Sequence, residues 1–139
     1  MSDSKIFEVS NAPKPVGAYP HARKFGNLLF LSGVGPRQAG TSEIPGTTRD
    51  ADGRVIAHDI RIQTRATIEN VKRILEAAGS DLSKVIDVTV FLTDMEHDFK
   101  GYNEVWAEYF TGIQATRTTL GITSLPTPIA VELKVLAEA

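Results

Sequence analysis

An arginine and a glutamate in the last quarter of the chain have the side chains best suited to chemistry on a small acid. Arg117 lies in the stretch 116–119, and Glu132 lies in the apolar stretch 131–137. Arginine is permanently charged, and its planar fork binds a carboxylate through two hydrogen bonds. A glutamate on a nearby strand could transfer protons, directly or through a water. The pair predicts a site that holds a carboxylate and moves protons beside it. The alternative is a structural ion pair between the two side chains.

The composition narrows the chemistry and the partners that the chain could have. Its 139 residues suffice for one domain with a single core, spanning residues 1–139. It has no cysteine, which excludes disulfides, thiolate catalysis and cysteine-ligated metal. A net charge of −2 gives no general attraction to nucleic acid or to an anionic membrane. Because no apolar run approaches the ~20 residues of a membrane span and the first residues lack an apolar signal core, we expect a cytoplasmic protein.

The clearest secondary-structure signal is an amphipathic helix in the middle of the chain. Apolar and small residues recur at helical spacing from Ile60 to Ala78. Asp59 is placed to cap the N-terminus of this helix, and Gly79 suits the position just after its C-terminus. A second helix is predicted further on, with Asp98 as its cap. That helix contains Tyr102, Val105, Trp106, Tyr109 and Phe110.

Strands are predicted on both sides of these helices, and their order indicates the fold class. Runs rich in apolar and β-branched residues predict strands at 5–9, 28–33, 54–57, 84–92, 118–122 and 129–137. Proline and glycine mark a loop at 11–20. The order of strands, helix, strand, helix and strands predicts an α+β fold in which two helices pack on one face of a mixed sheet.

Several segments in collinear order resemble a known protein family. The chain is similar to the YjgF/Rid family of imine and enamine deaminases from Asn11 to Ala137, and within it most resembles the 2-aminomuconate deaminases. The resemblance implies the chorismate-mutase-like α+β fold, assembled as a homotrimer with a site at each subunit interface. It is carried by Asn11-Ala12-Pro13, Gly17-Ala18-Tyr19, Leu31-Ser32-Gly33, 64–79, 88–95, Tyr102-Asn103, Arg117-Thr118, and Leu125-Pro126 leading to Val131-Glu132.

The resemblance also implies roles for individual residues. Arg117 would clamp a substrate carboxylate, and Glu132 would position a water or move a proton during hydrolysis. The alternative role for Glu132 is a residue that only orients Arg117. Tyr19 would lie over the substrate as a hydrogen-bond donor. The Ser32-Gly33 segment would line the pocket, with backbone N–H available to the carboxylate.

Three further polar residues are candidates for the site. The family pattern makes Asn103, on the first turn of the second helix, a pocket residue near the interface, whereas a capping or surface role is the alternative. Thr119 stands where many relatives carry cysteine, which indicates catalysis by general acid–base steps and water, with its backbone still able to contact the ligand. His21 could line the site and transfer a proton or bind an anion. His58 and His97 are expected at the surface, and the histidine spacing matches no metal motif.

The segment 37–58 is longer than in the generic family pattern, and it is rich in charge. One interpretation is a variable surface loop. The other is a loop that reaches over the pocket and supplies a second cation, which a linear dicarboxylate would need because Arg117 can hold only one end. Arg37, Arg49 and Arg54 are the candidates, and the sequence does not choose among them.

The resemblance thus predicts hydrolysis of 2-aminomuconate, a small carboxylate-bearing enamine or imine, to 4-oxalocrotonate and ammonia. Neither metal nor organic cofactor is expected, because an imine is already electrophilic. One alternative is a general deaminase of 2-aminoacrylate and related imines. Another is a non-catalytic module that senses small acids at the same cleft. RNA binding by the basic face of the first helix is disfavoured by the net charge.

Overall fold

The chain forms a six-stranded sheet with two helices packed against it, together with a separate two-stranded hairpin. A computed structural model describes residues 3–41 and 43–139. The strands are β1 (Ser4–Phe7), β2 (Ala22–Phe25), β3 (Leu28–Leu31), β4 (Thr47–Arg49), β5 (Val55–His58), β6 (Val85–Leu92), β7 (Thr116–Gly121) and β8 (Val131–Glu138). The helices are α1 (Ile60–Ala77) and α2 (Met95–Phe110).

The strand order places β8 and β6 in the interior of the sheet and β7 at one edge. The order is β1-β2-β3-β8-β6-β7, and β4 pairs with β5 in the separate hairpin. Neighbouring strands of the large sheet are antiparallel except β6 and β7, which are parallel because α2 connects them. The strands that carry Arg117 and Glu132 are therefore separated by β6.

The mixed α+β architecture and most of the predicted elements are confirmed. Strands β2 and β4, which have only 4 and 3 residues, are not predicted from the sequence. The hairpin between β2 and β3 turns at Gly26, whose φ of 60° is accessible to glycine at little steric cost. Short strands of this kind carry too few alternating positions for a periodic signal, and pairing with neighbours fixes them instead.

Helix α1 begins and ends where its capping residues predict. The Asp59 side chain accepts hydrogen bonds from the backbone N–H groups of Arg61 and Ile62. After the last turn, Gly79 adopts a φ of 84°, the left-handed conformation that commonly ends a helix. Side chains on one face of α1, among them Ile68 and Val71, are fully buried. Among the described residues, no helix is both long and apolar enough to cross a membrane.

Helix α2 begins earlier than the sequence indicates, and Asp98 is not its cap. The N-cap is Asp94, whose side chain accepts a hydrogen bond from the backbone N–H of His97. Asp98 lies inside the helix, where it is only 5% exposed, and pairs with His58 at 2.7 Å between Oδ2 and Nε2. This contact ties the end of β5 to α2, so His58 has a structural partner rather than lying at a bare surface.

The sheet face opposite the helices carries exposed apolar side chains. Along β8, Val131, Leu133 and Val135 are buried, while the alternate side chains point to the other face. Exposed large residues on or beside this open face include Ile6, Phe25, Leu28, Phe30 and Leu120. A group of large exposed apolar side chains on one surface is typical of a surface that takes part in protein–protein contacts.

Candidate active site

The guanidinium of Arg117 is held over the aromatic rings of α2. Its Cζ lies 5.8, 5.5 and 5.0 Å from the ring centres of Phe99, Tyr102 and Trp106. A cation over such rings gains about 0.5–1 kcal/mol per contact at an exposed site. These rings orient the guanidinium without using its hydrogen-bond donors. No hydrogen bond or ion pair engages it anywhere in ranges 3–41 and 43–139, so its fork is available to an anion.

Arg117 and Glu132 lie on opposite faces of the sheet. Arg117 pairs in register with Val88, which is fully buried beneath the helices. Glu132 pairs with Phe91, three positions further along the same strand. Since side chains alternate between faces along a strand, positions of opposite parity point to opposite sides. The ion pair considered in the sequence analysis is thus absent within one chain, and Glu132 cannot be the residue that orients Arg117 there.

Glu132 lines a small pocket on its own side of the sheet. Tyr19, Gly33 and Arg37 share this pocket with it. A Cβ added to Gly33 would lie 2.8 Å from both Cδ and Oε2 of Glu132, so the glycine allows the carboxylate to approach the backbone. Burial raises the pKa of the Glu132 carboxyl above its ordinary value, and the positive charge of Arg37 opposes that rise. The group is suited to exchanging protons nearer neutral pH than an exposed glutamate.

The Ser32-Gly33 segment offers one backbone donor rather than two. The N–H of Ser32 donates to the carbonyl oxygen of His21 at 3.0 Å, and its hydroxyl donates to that of Pro20 at 2.7 Å. The N–H of Ser32 is therefore used within the chain, while the residue itself lines a cavity together with Tyr19 and Gly33. By contrast, the Gly33 N–H has no protein acceptor in the described part of the chain. It remains available beside Glu132.

Tyr19 is also positioned to contact a molecule in this pocket. Its side chain is 41% exposed. Its hydroxyl oxygen accepts a hydrogen bond from the Val16 N–H at 3.2 Å, which fixes the ring while leaving the hydroxyl proton for another acceptor. The arrangement agrees with the donor role predicted for this tyrosine.

Asn103 and Thr119 lie on the Arg117 side of the sheet. Thr119 follows Arg117 by two positions in β7, so both side chains share one face. Asn103 is on the third turn of α2 rather than the first, because the helix starts at Met95. Helical spacing still places it on the face that presents Phe99, Tyr102 and Trp106 to Arg117. The capping role considered for Asn103 is excluded by this position.

His21 does not line the Glu132 pocket but a neighbouring cavity that also contacts Tyr19 and Gly33, and both of its ring nitrogens form hydrogen bonds. Nδ1 accepts a hydrogen bond from the Val9 N–H at 3.0 Å, and Nε2 donates to the Pro13 carbonyl oxygen at 2.8 Å. Through these two hydrogen bonds the ring fixes the loop 9–13. A proton-transfer role would require breaking one of these bonds. In the described ranges no group of three His, Asp or Glu side chains could hold a metal ion.

Of the three arginines considered for a second cation, only Arg37 reaches the pocket. Arg49 donates to the Gly53 carbonyl oxygen at 2.8 Å within the β4–β5 hairpin. Arg54 lies in the turn of the same hairpin. Neither residue lines the Glu132 pocket. Residues 47–58 of this segment form a hairpin, and of its three arginines Arg37 contributes to the candidate site.

The described residues thus form two candidate half-sites. One contains Arg117, Thr119 and Asn103 at the sheet edge and helix α2. The other contains Glu132 and Gly33, with Tyr19 and Arg37 around them. The first can bind a carboxylate, and the second can position water and transfer a proton. Sequence reasoning named the members of both half-sites, but it missed the aromatic rings that hold Arg117, although Phe99, Tyr102 and Trp106 recur at helical spacing.

Comparisons with known proteins match the chain to one family over nearly its whole length. A family model described as endoribonuclease L-PSP matches residues 9–139. A RutC family protein of Pyrococcus horikoshii is 41% identical over 96% of each chain. The reactive intermediate deaminase TdcF of Escherichia coli, described as putative, is 35% identical over 96% of this chain and 95% of its own length.

Solved structures show the same fold. A putative endoribonuclease of Thermotoga maritima superposes with a TM-score of 0.83 at 32% identity, covering 97% of both chains. The structure of TdcF from E. coli with bound serine superposes with a TM-score of 0.81 at 34% identity, covering 97% of this chain and 98% of the other. The sequence resemblance is confirmed, and the chain belongs to the YjgF/Rid family, whose model bears the description endoribonuclease L-PSP.

Proposed function

We propose that the protein hydrolyses small 2-imino acids and their enamine tautomers to 2-oxo acids and ammonia. Relatives named reactive intermediate deaminases in E. coli and Arabidopsis thaliana support this class of reaction. They give no particular support to 2-aminomuconate, so the general deaminase is the better-supported form of the prediction. The TdcF structure holds serine, which supports a small ligand with a carboxylate.

The observation that carries the proposal is the unpartnered guanidinium of Arg117. A charged fork that no protein carboxylate neutralises is suited to a planar anion, and the α2 rings keep it in one orientation. Holding the carboxylate fixes the neighbouring imine carbon, so that much of the rate acceleration would come from orientation.

The complete site would be built from two copies of this chain. One copy would supply Arg117 with Thr119 and Asn103, and its neighbour would supply Glu132 with Gly33. This arrangement explains why the two halves face away from each other within one chain. The exposed apolar face of the sheet provides a surface for such an assembly. A closed homotrimer, the form that the family resemblance implies, would create equivalent sites at each interface.

Hydrolysis would then proceed by acid–base steps. Protonation of an enamine at carbon gives the iminium form of the imine, whose carboxylate binds Arg117. Glu132 takes a proton from water as the water oxygen bonds to the iminium carbon, and the π electrons of the C=N bond become the lone pair of an amine. The Glu132 carboxyl gives that proton to the amine, the carbon–nitrogen bond breaks with its electrons on the departing ammonia, and the carbinol hydroxyl proton returns to Glu132 as the carbonyl forms. One positioned acid–base group typically contributes ~10²–10⁴-fold.

Ammonia release from freshly generated 2-aminoacrylate and 2-aminomuconate tests this function. We expect both rates to exceed the uncatalysed rates, with 2-aminoacrylate processed efficiently, and the acceleration to disappear in Arg117→Ala. A strong preference for 2-aminomuconate would establish the narrower activity. No acceleration with either compound would overturn the proposal and favour a module that binds small acids without turnover.

Placing a methyl group at Gly33 is expected to damage the Glu132 half-site. In Gly33→Ala the new Cβ would occupy the space 2.8 Å from the Glu132 carboxyl group, so this side chain must move. Displacement of a catalytic group by about 1 Å lowers kcat/KM by up to roughly a hundredfold. Steady-state kinetics and thermal unfolding should show lost activity with a nearly unchanged Tm. Gly112→Ala is the control, since nothing lies within 4 Å of a Cβ there. Equal activity of the two variants would contradict the assignment.

As the pH is lowered, kcat/KM should begin to fall at a pH above the range in which an ordinary glutamate titrates. Glu132 acts as a base in its deprotonated form, and burial raises its pKa from the ordinary 4.5. As pH falls through this raised pKa the carboxylate becomes protonated, and kcat/KM declines. A pH profile of kcat/KM measures the midpoint, and Glu132→Gln should remove this limb together with most of the rate. An unchanged acidic limb in that variant would assign the titration to another group.

A further inference from the structure

Arg37 is a cation at the candidate site that the hydrolysis of a simple imino acid does not require. It lines the same pocket as Glu132 and Tyr19. None of the carboxylates in the described residues lies within 4.0 Å of its guanidinium, so Arg37 forms no ion pair with them. One substrate carboxylate is already assigned to Arg117. A substrate with a single carboxylate therefore leaves the charge of Arg37 without a partner.

The backbone and side chain of Arg37 are both held in place. Asn70, on α1 and only 1% exposed, donates from Nδ2 to the carbonyl oxygens of Gly35 at 2.9 Å and Arg37 at 2.7 Å. The Asn70 Oδ1 in turn accepts from Nη1 of Arg73 at 3.0 Å. Nη2 of Arg37 donates to the Lys14 carbonyl oxygen at 2.9 Å. A buried amide thus fixes the segment, and one of the five guanidinium N–H groups anchors the head.

The remaining donors of Arg37 suit a second anionic group on the substrate. A positioned, partly buried guanidinium binds a carboxylate through charge-assisted hydrogen bonds that are stronger than neutral ones. A substrate whose reacting carbon lies near Glu132 would extend its side chain into the pocket that Arg37 lines. Val16 and Ile129 form the apolar part of the pocket lining, beside the polar groups of Tyr19 and Glu132. The guanidinium of Arg37 is thus the cation in a pocket with both polar and apolar lining residues.

We propose that Arg37 determines specificity by binding a second carboxylate, so that the preferred substrates are 2-imino acids with an acidic side chain. This inference rests on the proposed deaminase function. Of the three arginines in segment 37–58, Arg37 alone has this position, because Arg49 and Arg54 belong to the distant hairpin. The chemistry requires a dicarboxylate whose second acid group lies a few bonds from the imine carbon.

The test compares two imino acids of equal chain length, 2-iminopentanedioate and 2-iminopentanoate, each generated in place by oxidation of the matching amino acid. We expect the native protein to prefer the diacid in kcat/KM by roughly tenfold or more. Arg37→Gln should abolish that preference, and Arg37→Lys should retain part of it. Arg49→Gln is the matched control and should behave as the native protein. Rates are compared at a pH above the acidic limb, so that any change in Glu132 protonation does not enter the ratio.

Binding of the stable products separates this inference from the proposed function. Calorimetry with 2-oxopentanedioate and 2-oxopentanoate should show the same preference for the diacid and the same loss in Arg37→Gln. Turnover of both imino acids at equal efficiency would overturn the role of Arg37 and leave the deaminase function intact. Absence of any turnover would overturn the deaminase function, and binding of the two products would then decide the role of Arg37 alone.

Discussion

Replacing Arg117 by lysine is expected to lower kcat/KM for a 2-imino acid by roughly a hundredfold or more. A lysine keeps the charge but loses the planar fork, so it cannot form two parallel hydrogen bonds to the carboxylate. It also loses the flat surface that lies 5.0 Å from the centre of the Trp106 ring. The substrate would then bind more weakly and in several orientations. KM should rise and kcat should fall together.

Steady-state kinetics of Arg117→Lys and Arg117→Ala measure this loss, and thermal unfolding shows whether the fold persists. Arg65→Lys is the matched control, because Arg65 is an exposed arginine that pairs with Glu108 on the α1–α2 surface. That pair is accessible to water, and its loss should change stability by less than about 1 kcal/mol. Near-native kinetics in Arg117→Lys would show that charge alone suffices and would exclude a bidentate clamp.

The sequence predicts where the helices and strands lie along the chain better than it predicts which of them pack side by side. The cap at Asp59, the apolar periodicity of α1 and the left-handed Gly79 are local signals, so the ends of α1 agree with expectation. The start of α2 differs from expectation, because Asp94 and Asp98 are both suited to cap the N-terminus of a helix. Tertiary contacts decide between them, because Asp98 is buried within the helix, where it pairs with His58.

The candidate site shows the same division between local and long-range information. Residue type and family pattern single out Arg117 and Glu132, because few side chains can clamp a carboxylate or relay a proton. Their separation onto opposite faces depends on strand order, with β6 lying between their strands. The residue pattern within β7 or within β8 does not indicate the order of the strands in the sheet. For the same reason, the choice of Arg37 over Arg49 depends on a buried contact from Asn70, far away in the sequence.

Mixing two inactive variants is expected to restore activity if the site is shared between chains. Arg117→Ala and Glu132→Gln should each be nearly inactive alone. In a mixed trimer, a site is intact where the chain that supplies Arg117 carries the Glu132→Gln change and its neighbour carries the Arg117→Ala change. Random mixing in equal amounts makes about a quarter of all sites intact, and each mixed trimer has one intact site of three. About a quarter of the native activity should therefore return in the whole mixture, and about a third in isolated mixed trimers.

Co-expression of the two variants with different affinity tags allows the mixed assemblies to be isolated and assayed. The control mixes Arg117→Ala with the double variant Arg117→Ala/Glu132→Gln, which contains no intact site in any combination. Mass measurement in solution should give a multiple of the 15.1 kDa chain, with the trimer expected. If the protein is a monomer, or if the mixed assemblies stay as inactive as the control, Arg117 and Glu132 would have to act within one chain. That outcome would contradict the geometry, since the sheet itself stands between Arg117 and Glu132.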